Sequence, residues 1–305
     1  MTPMMEQYFE IKNQYKDYLL FYRLGDFYEM FFDDAVVASR ELDLTLTGRD
    51  CGEEERAPMC GVPFHAVDEY IGKLIEKGYK VAICEQMEDP ALAKGLVRRD
   101  VIRVITPGTL IESNLLPDQK NNFLCCLCMG EFASGICFAD ISTAQVYATE
   151  LTGDGMAARI KNELAAYNPR EILCNLSRVH MGEVGEWLAA RPEIMLSDAQ
   201  AARFDRETAE AAAREQFGDG LKPSFFDEDE MVRAVGAMVG YIRENERRDI
   251  SYIKNLNVYT DGQYLEMDAN TRRNLELTES MRTKKKTGSL LWVLDKTRTA
   301  PGARM

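Results

Sequence analysis

A polar segment at residues 116–122, LPDQKNN, separates two regions that each mix apolar strand-like runs with amphipathic helix-like runs. Proline and side-chain amides in such density are typical of loops and linkers. The chain has 305 residues, which is too long for one ordinary hydrophobic core. We therefore predict two domains, at residues 1–115 and 116–245, and the beginning of a third at residues 246–305.

The first region has the pattern of an α/β domain. Strands are expected at residues 19–24, 80–85 and 101–105. A helix is expected from Phe27 to near Leu42, because apolar residues recur there at helical spacing. Those residues are Phe27, Phe31, Ala35 and Ala38. A second helix is expected between a cap at Asp68 and a stop at Gly78.

The second region also predicts strands and helices, followed by a helical end. The expected strands are residues 123–129, 135–141, 145–151 and 171–174, the first three antiparallel. The expected helices are residues 156–167, an alanine-rich helix around 199–217, a helical stretch from Asp227 that is broken at 252–265, and a last helix near Asp268. An apolar stripe near the end, at Leu290, Leu291, Val293 and Leu294, has nothing after it to cover it. We expect from this that the chain is cut inside a helical domain.

Composition excludes a membrane protein at the level of sequence. Hydrophobic residues make up 46% and charged residues 29% of the chain, as in soluble globular proteins. No apolar run approaches the roughly 18 residues that a membrane span needs. The N-terminal residues show no signal-peptide pattern. A cytoplasmic, nucleoid-associated location without a membrane partner is expected.

The eight cysteines suggest core packing more than metal binding. Cys125, Cys126 and Cys128 are clustered, but no second cysteine pair or nearby histidine completes a zinc site. Their surroundings are apolar and strand-like, so each cysteine suits a small buried position. We predict reduced, structural thiols and no metal site.

The net charge of −13 argues against a generally basic nucleic-acid-binding surface. Residues 1–115 carry 13 Lys and Arg against 21 Asp and Glu, and residues 116–230 carry 10 against 20. Residues 231–305 carry 14 against 9. Any contact between the first region and DNA must therefore come from a local patch of cations.

Five stretches carry a resemblance that spans the chain in order. They are FYRLGDFYEMF at residues 21–31, PMCGVPFHAV at 58–67, VAICEQ at 81–86, RVITPGT at 103–109 and TRRNLEL at 271–277. Together they resemble the bacterial MutS family of DNA mismatch-recognition proteins. The resemblance implies a mixed-sheet α/β mismatch-recognition domain, an RNase H-like α/β connector domain and the beginning of an all-α lever domain.

The resemblance places the family's Phe-x-Glu reading pair on Phe27 and Glu29. It implies that Phe27 wedges into the minor groove and stacks on a mispaired base, while Glu29 meets the base edge through a hydrogen bond. Kinking costs less at a mispair than at a sound base step, so deformability can supply the specificity. Without the resemblance, Phe27 would be a core aromatic and Glu29 a first-turn acid favoured by the helix dipole.

Other candidate DNA contacts lie in loops of the first region. His65 either touches the DNA backbone or holds its own loop, and the sequence leaves both readings open. Phosphate contacts are expected from cations that cluster outside the acidic helices. These are Arg49, Arg56, Lys94, Arg98 and Arg99.

Enzyme chemistry has weak support in the sequence. Asp140 lies on a predicted strand where an RNase H-like nuclease would hold a metal, but cleavage needs several convergent carboxylates and the strand at 171–174 runs into Asn175. No G-x-x-x-x-G-K-[ST] motif occurs, so the chain has no P-loop. A metal-dependent nuclease and a pure protein-interaction scaffold remain the alternatives to a non-enzymatic DNA-binding module.

The resemblance also implies partners. These are mismatched double-stranded DNA, a second MutS subunit, and a MutL-type protein that docks on the connector. No cofactor is expected in this chain, whereas ATP and Mg²⁺ would bind the family's ATPase in the missing C-terminal part.

Overall fold

A computed structural model describes residues 1–52, 54–89, 95–111, 121–198, 201–247, 249–260 and 267–304. The chain divides into two compact units. Unit 1 comprises Met1–Thr109 and Glu244–Asp249, and unit 2 comprises Leu110–Arg243 and Ile250–Met305. The domain boundaries predicted at 115/116 and 245/246 stay predictions.

Unit 1 is built on a six-stranded mixed sheet. Its elements are α1 (Pro3–Lys12), β1 (Leu19–Leu24), β2 (Phe27–Phe31), α2 (Phe32–Leu42), β3 (Thr47–Arg49), β4 (Ala57–Pro63), a 3₁₀ turn (Phe64–Ala66), α3 (Val67–Glu76), β5 (Val81–Gln86) and β6 (Arg99–Ile105). The strand order is β3-β4-β2-β1-β5-β6. Neighbours are antiparallel except for the parallel pair β1 and β5.

The helix predicted to begin at Phe27 is wrong over its first five residues. They form β2, which pairs with β1 on one side and β4 on the other. Tyr28 and Met30 are buried while Phe27 is exposed, which is the alternation of a strand. The helix α2 begins only at Phe32, whose φ of 52° turns the chain sharply. Pairing with two strands outweighs a local pattern that is compatible with a helix.

The helix α3 was predicted in the right place with the wrong start. Asp68 lies within its first turn, and the residue before the helix is Ala66, at the end of the 3₁₀ turn. The predicted stop at Gly78 is confirmed, with φ at 83°. A left-handed residue just past a helix suits glycine because it has no Cβ.

The sheet of unit 1 buries side chains on both faces. On one face Met5 and Tyr8 of α1 pack with Leu20 and Tyr22 of β1 and with residues of β5 and β6. The alternate residues of β1, including Phe21, are equally buried and point to the opposite face. There α2 and α3 contact the strands.

Unit 2 has a second six-stranded mixed sheet. Its elements are β7 (Phe123–Met129), β8 (Ala133–Asp140), β9 (Gln145–Thr152), α4 (Met156–Tyr167), β10 (Glu171–Cys174), α5 (Glu183–Ala189), β11 (Met195–Asp198), α6 (Arg206–Phe217), α7 (Asp229–Glu246), β12 (Leu256–Val258), α8 (Ala269–Asn274), α9 (Leu290–Leu294) and α10 (Ala300–Arg304). The order is β11-β10-β7-β8-β9-β12. The strands β7, β8 and β9 are antiparallel, whereas β10, β11 and β12 each pair in parallel.

Helices cover both faces of this sheet. Leu124, Cys126 and Cys128 of β7 pack in one cluster with α6 and α7. Phe123, Cys125 and Leu127 pack in the other with α4 and α5. α6 and α7 approach closely, because a Cβ on Gly236 would come within 2.2 Å of the backbone of Ala209. Mixed α/β sheets in both units confirm the predicted fold class.

All eight cysteines are free and buried. Burial raises the pKa of the Cys125 and Cys126 thiols well above the ordinary value. A thiol that stays protonated in an apolar layer behaves as a small hydrophobic side chain. The prediction of structural thiols is confirmed.

The strand at 171–174 and the helix at 156–167 are confirmed at their predicted bounds. The alanine-rich helix begins later than predicted, at Arg206, where the side chain of Asp205 accepts a hydrogen bond from the backbone N–H of Thr208 at 3.1 Å. Residues 112–120, 199–200 and 261–266 lie outside the described residues, and with them most of the predicted linker.

The last part of the chain consists of short helices. Asp268 caps α8 through the backbone N–H of Thr271 at 2.6 Å, as its predicted start requires. In α9 the apolar stripe is exposed, with Leu290 at 51% and Leu294 at 67%. Within the described ranges, the structure contains no helix with the length and apolarity to cross a bilayer.

Glu150 on β9 gives unit 2 a specific pH dependence. Its carboxylate accepts a hydrogen bond from the backbone N–H of Met231 at 2.9 Å. Burial raises its pKa from 4.5 to about 7, and neighbouring Glu228 adds to the rise. The folded state therefore holds the proton more tightly than the unfolded state, and stability is lost as pH rises through this window.

We predict that Glu150→Gln, which keeps an oxygen acceptor for Met231, removes this pH dependence. The variant should be more stable than the wild type at about pH 8 and gain nothing at about pH 4. Urea unfolding across this range measures the effect, with Glu193→Gln at an exposed position as the control. Equal slopes of stability against pH for wild type and Glu150→Gln would contradict the prediction.

Candidate nucleic-acid interface

A tight hairpin puts Phe27 on the surface. Leu24 pairs with Phe27 across a two-residue turn, Gly25-Asp26, and Gly25 has a φ of 58°. Glycine at the first position of such a turn is favoured because the position requires a positive φ. Phe27 also pairs with Pro63 on β4. Phe27 is thus the first residue of a strand in the interior of the sheet, yet it is 48% exposed.

Glu29 lies two residues along the same strand, so its side chain leaves the same face as Phe27. Its cross-strand partner on β4 is Gly61, which leaves room for the carboxylate. Arg49 donates from Nη1 to Oε2 of Glu29 at 2.5 Å. The Glu29 side chain is 15% exposed and that of Arg49 is 36% exposed. The structure therefore brings three predicted site residues together and shows that two of them form an ion pair.

Arg56 lies beside this pair. It immediately precedes β4, where Ala57 pairs with Arg49. Its side chain lies over Gly48, where a Cβ added to the glycine would be 3.1 Å from the Cβ of Arg56. Arg56 is exposed. The cations predicted at positions 49 and 56 thus share the β3–β4 edge of the sheet next to Glu29.

His65 lies in the 3₁₀ turn that follows β4 and is exposed. Its ring meets the ring of Phe64 edge-on at 5.9 Å. The backbone N–H of Phe64 donates to the carbonyl of Asp26 at 2.9 Å, which ties this turn to the hairpin. His65 is thereby held near Phe27, and its contact with the DNA backbone stays a prediction.

Phe64 and Arg23 were missed as site residues. Phe64 is 42% exposed, and the guanidinium of Arg23 lies 4.0 Å from its ring centroid. Phe64 stands inside a stretch already singled out by its resemblance. Arg23 was detectable only by recognising Gly25-Asp26 as a hairpin turn, which places Arg23 opposite Tyr28.

Tyr28 anchors the other side of strand β2. Its hydroxyl donates to the carboxylate of Glu85 on β5, and its side chain is buried. Burial, and then this hydrogen bond, raise the pKa of Tyr28 well above its ordinary value. The phenol stays a neutral donor, so the strand that carries Phe27 is fixed from beneath.

The phosphate contact predicted at Arg99 is not supported, because Arg99 is buried at 8% exposure. Its guanidinium donates to the carbonyls of Arg23 and Val97 and to the side chain of Gln7. It also lies 5.1 Å from the ring centroid of Tyr22. The two arginines are adjacent, but Arg98 precedes β6 and is exposed, whereas Arg99, the first residue of β6, is buried. Lys94, also predicted as a contact, lies outside the described residues.

The carboxylate considered for a nuclease is used structurally. Asp140 is fully buried and accepts hydrogen bonds from the backbone N–H groups of Asn122 and Ser142, the hydroxyl of Ser142 and the amide of Asn121, at 2.7–3.2 Å. Among the described residues, no group of three or more His, Cys, Asp or Glu is placed to hold a metal. Asp140 therefore stabilises the end of β8.

Comparison with known proteins agrees with this architecture. Models of MutS domain I, MutS domain II and MutS domain III match residues 2–114, 122–254 and 270–305 in that order. The DNA mismatch repair protein MutS of Acetivibrio thermocellus is 50% identical over 305 residues. The proteins of that name from Alkaliphilus oremlandii and Brevibacillus brevis are 49% and 47% identical over 311 and 306 residues.

These alignments cover 100% of this chain but 35%, 35% and 33% of the three relatives. The chain thus spans about a third of their length. Three consecutive domain models of one family account for nearly all of it, and identity near one half extends from end to end. The chain belongs to the MutS family.

Proposed function

We propose that this chain recognises mismatched or looped-out base pairs in duplex DNA and thereby initiates DNA mismatch repair. The observation that carries the proposal is the position of Phe27. A half-exposed aromatic ring at the start of an interior strand is held by neighbouring strands on both sides. Such a ring can enter a base step without displacing any of the protein's own core. Unstacking is cheapest where pairing is already defective.

The surroundings of Phe27 fit a DNA groove. Glu29 leaves the same face and reaches the base edge, while Arg49, Arg56 and Arg98 are exposed enough to contact phosphates. Pairing with Arg49 offsets the charge of a carboxylate that has to approach phosphates. His65 and Lys94 remain candidate backbone contacts, and Arg99 braces the interior in place of a direct contact.

The rest of the function belongs to a longer protein. By resemblance to the family, a protein of the relatives' length would carry an ATPase that binds ATP and Mg²⁺ and would pair with a second MutS subunit. The connector domain predicted within this chain would offer the docking surface for a MutL-type protein. This chain contributes binding and no catalysis. The structure gives the nuclease alternative no support, since Asp140 is committed to backbone and amide donors.

Phe27→Ala should abolish mismatch preference while leaving the fold intact, because the ring is half-exposed. Stacking of one aromatic on a base contributes roughly 1–3 kcal/mol, about tenfold or more in affinity. The measurement is the ratio of the affinities for a G·T duplex and for its matched control. It uses a protein as long as the MutS relatives that includes this sequence. Phe132→Ala, at an exposed phenylalanine of unit 2, is the matched control. A wild-type ratio in Phe27→Ala would refute the wedge.

Glu29→Gln should raise or preserve affinity for matched DNA and lower discrimination, since it frees Arg49 for a phosphate. One added phosphate contact steepens the dependence of log K on log salt by about 0.9. Arg49→Gln should weaken binding, and the double variant should return to near wild-type affinity for matched DNA.

The control for this pair is Glu41→Gln, which releases Arg40 and Lys77 elsewhere in unit 1. Fluorescence anisotropy at several salt concentrations supplies the affinities. A large loss of matched-DNA affinity in Glu29→Gln would count against the prediction, because it would mean that Glu29 supports the fold.

This chain alone should bind DNA weakly. Non-specific affinity comes mainly from cations that neutralise phosphates, and the chain carries a net charge of −13. A single wedge must also cover a kinking cost of a few kcal/mol. We expect micromolar or weaker affinity at about 0.15 M salt with little discrimination. Nanomolar, mismatch-selective binding by the monomeric chain would overturn this expectation.

A further inference from the structure

Arg23 on β1 joins parts of unit 1 that surround the hairpin tip. Its Nε donates to the carbonyl of Gly25 in the turn at 2.5 Å, and its Nη1 donates to Oε1 of Glu85 on β5 at 3.3 Å. The guanidinium lies 4.0 Å from the ring centroid of Phe64 and 5.4 Å from that of Tyr28. The Arg23 side chain is only 16% exposed. Most of this side chain is therefore covered by other residues of the tip.

These contacts reach the chain on both sides of Phe27. The turn that precedes Phe27 is held through the carbonyl of Gly25 and through the hydrogen bond from Phe64 to Asp26. Tyr28, which follows Phe27, is held through its ring and through its hydroxyl on Glu85. The phenylalanine thus stands between two restrained neighbours, although its own ring projects into solvent.

Restraint of this kind matters for a group that must enter a base stack. An exposed hairpin tip that is free to move loses conformational entropy when it binds, which weakens binding. A tip ordered in advance avoids that loss. Only a planar guanidinium can stack on a ring and donate in its own plane to a carbonyl and a carboxylate, so lysine cannot replace arginine here.

We infer that Arg23 is a positioning residue for mismatch recognition, which clamps the β1–β2 turn against Phe64 and Glu85 so that Phe27 is held ready to enter the DNA. The inference rests on the proposed function of Phe27. Arg23 itself touches no base, and its effect passes through the turn and through Tyr28.

The test compares Arg23→Lys and Arg23→Gln in a MutS protein of the relatives' length that carries this chain. The matched control is Lys12→Gln, which removes a cation of similar burial, 19% exposed, that also bonds backbone carbonyls and a carboxylate. We expect both Arg23 variants to lower the affinity ratio of G·T to matched DNA about tenfold, and Lys12→Gln to leave it unchanged. Melting temperatures should fall similarly in all three.

Two readouts separate positioning from a direct phosphate contact. The slope of log K against log salt for matched DNA should stay at its wild-type value in Arg23→Gln. Loss of a phosphate contact would instead make this negative slope shallower by about 0.9. Arg23→Lys should be as defective as Arg23→Gln, whereas a phosphate contact would tolerate lysine. If Arg23→Gln does not fold, Arg23→Lys alone decides the question.

Phe64→Leu provides an independent arm, because it removes the ring on which the guanidinium stacks and leaves Arg23 in place. We expect the double variant with Arg23→Lys to discriminate no worse than the poorer single variant, since both break one clamp. Additive losses, or a wild-type ratio in Arg23→Lys, would overturn the inference. Phe27→Ala in the same assay distinguishes failure of the proposed function from failure of the clamp. If Phe27→Ala retains discrimination, the proposed function fails. If Phe27→Ala loses discrimination but the Arg23 variants retain it, only the clamp fails.

Discussion

Antiparallel pairing around the turn Gly25-Asp26 is the constraint on which the candidate site depends. The turn allows Phe27 to begin a strand opposite Leu24, and pairing with Pro63 secures its other side. Strand alternation then sends Phe27 and Glu29 to one face and buries Tyr28 and Met30 on the other. A helix over the same residues would distribute these side chains around its axis. The strand is what allows one residue to be exposed while its neighbour anchors it.

The electrostatics of the site are local, because the chain as a whole is acidic. With a net charge of −13, the proposed attraction to DNA has to come from individual cations at the surface. One of these, Arg49, is paired with the only carboxylate that the family resemblance places at the base. The pair has no net charge, so Glu29 can approach phosphates at lower electrostatic cost. Under the proposed function, specificity and affinity are therefore linked through this ion pair.

In unit 2 the carboxylate considered for nuclease chemistry has a structural role. Asp140 occupies a strand end where a catalytic carboxylate would be plausible, but backbone N–H groups and side chains of its own turn occupy its oxygens. The cysteine cluster on β7 likewise serves packing, with alternate thiols in the two opposite cores. In both cases burial, and not residue type, decides the role.

Sequence alone determined the family, the α/β class and four of the six strands described in unit 2, β7 to β10. Through the family resemblance it also predicts Phe27 and Glu29 as the reading pair. These follow from local periodicity and from motifs, which the linear order of residues preserves. Tertiary structure decided that residues 27–31 form a strand and that Arg99 is buried while Arg98 is exposed. It also brought Arg23, Phe64 and Glu85 together around the hairpin. The physical reason is that strand pairing joins residues far apart in the chain, such as Leu19 and Val81, which are 62 positions apart. Whether a side chain is exposed depends on those distant partners, and local sequence does not contain them.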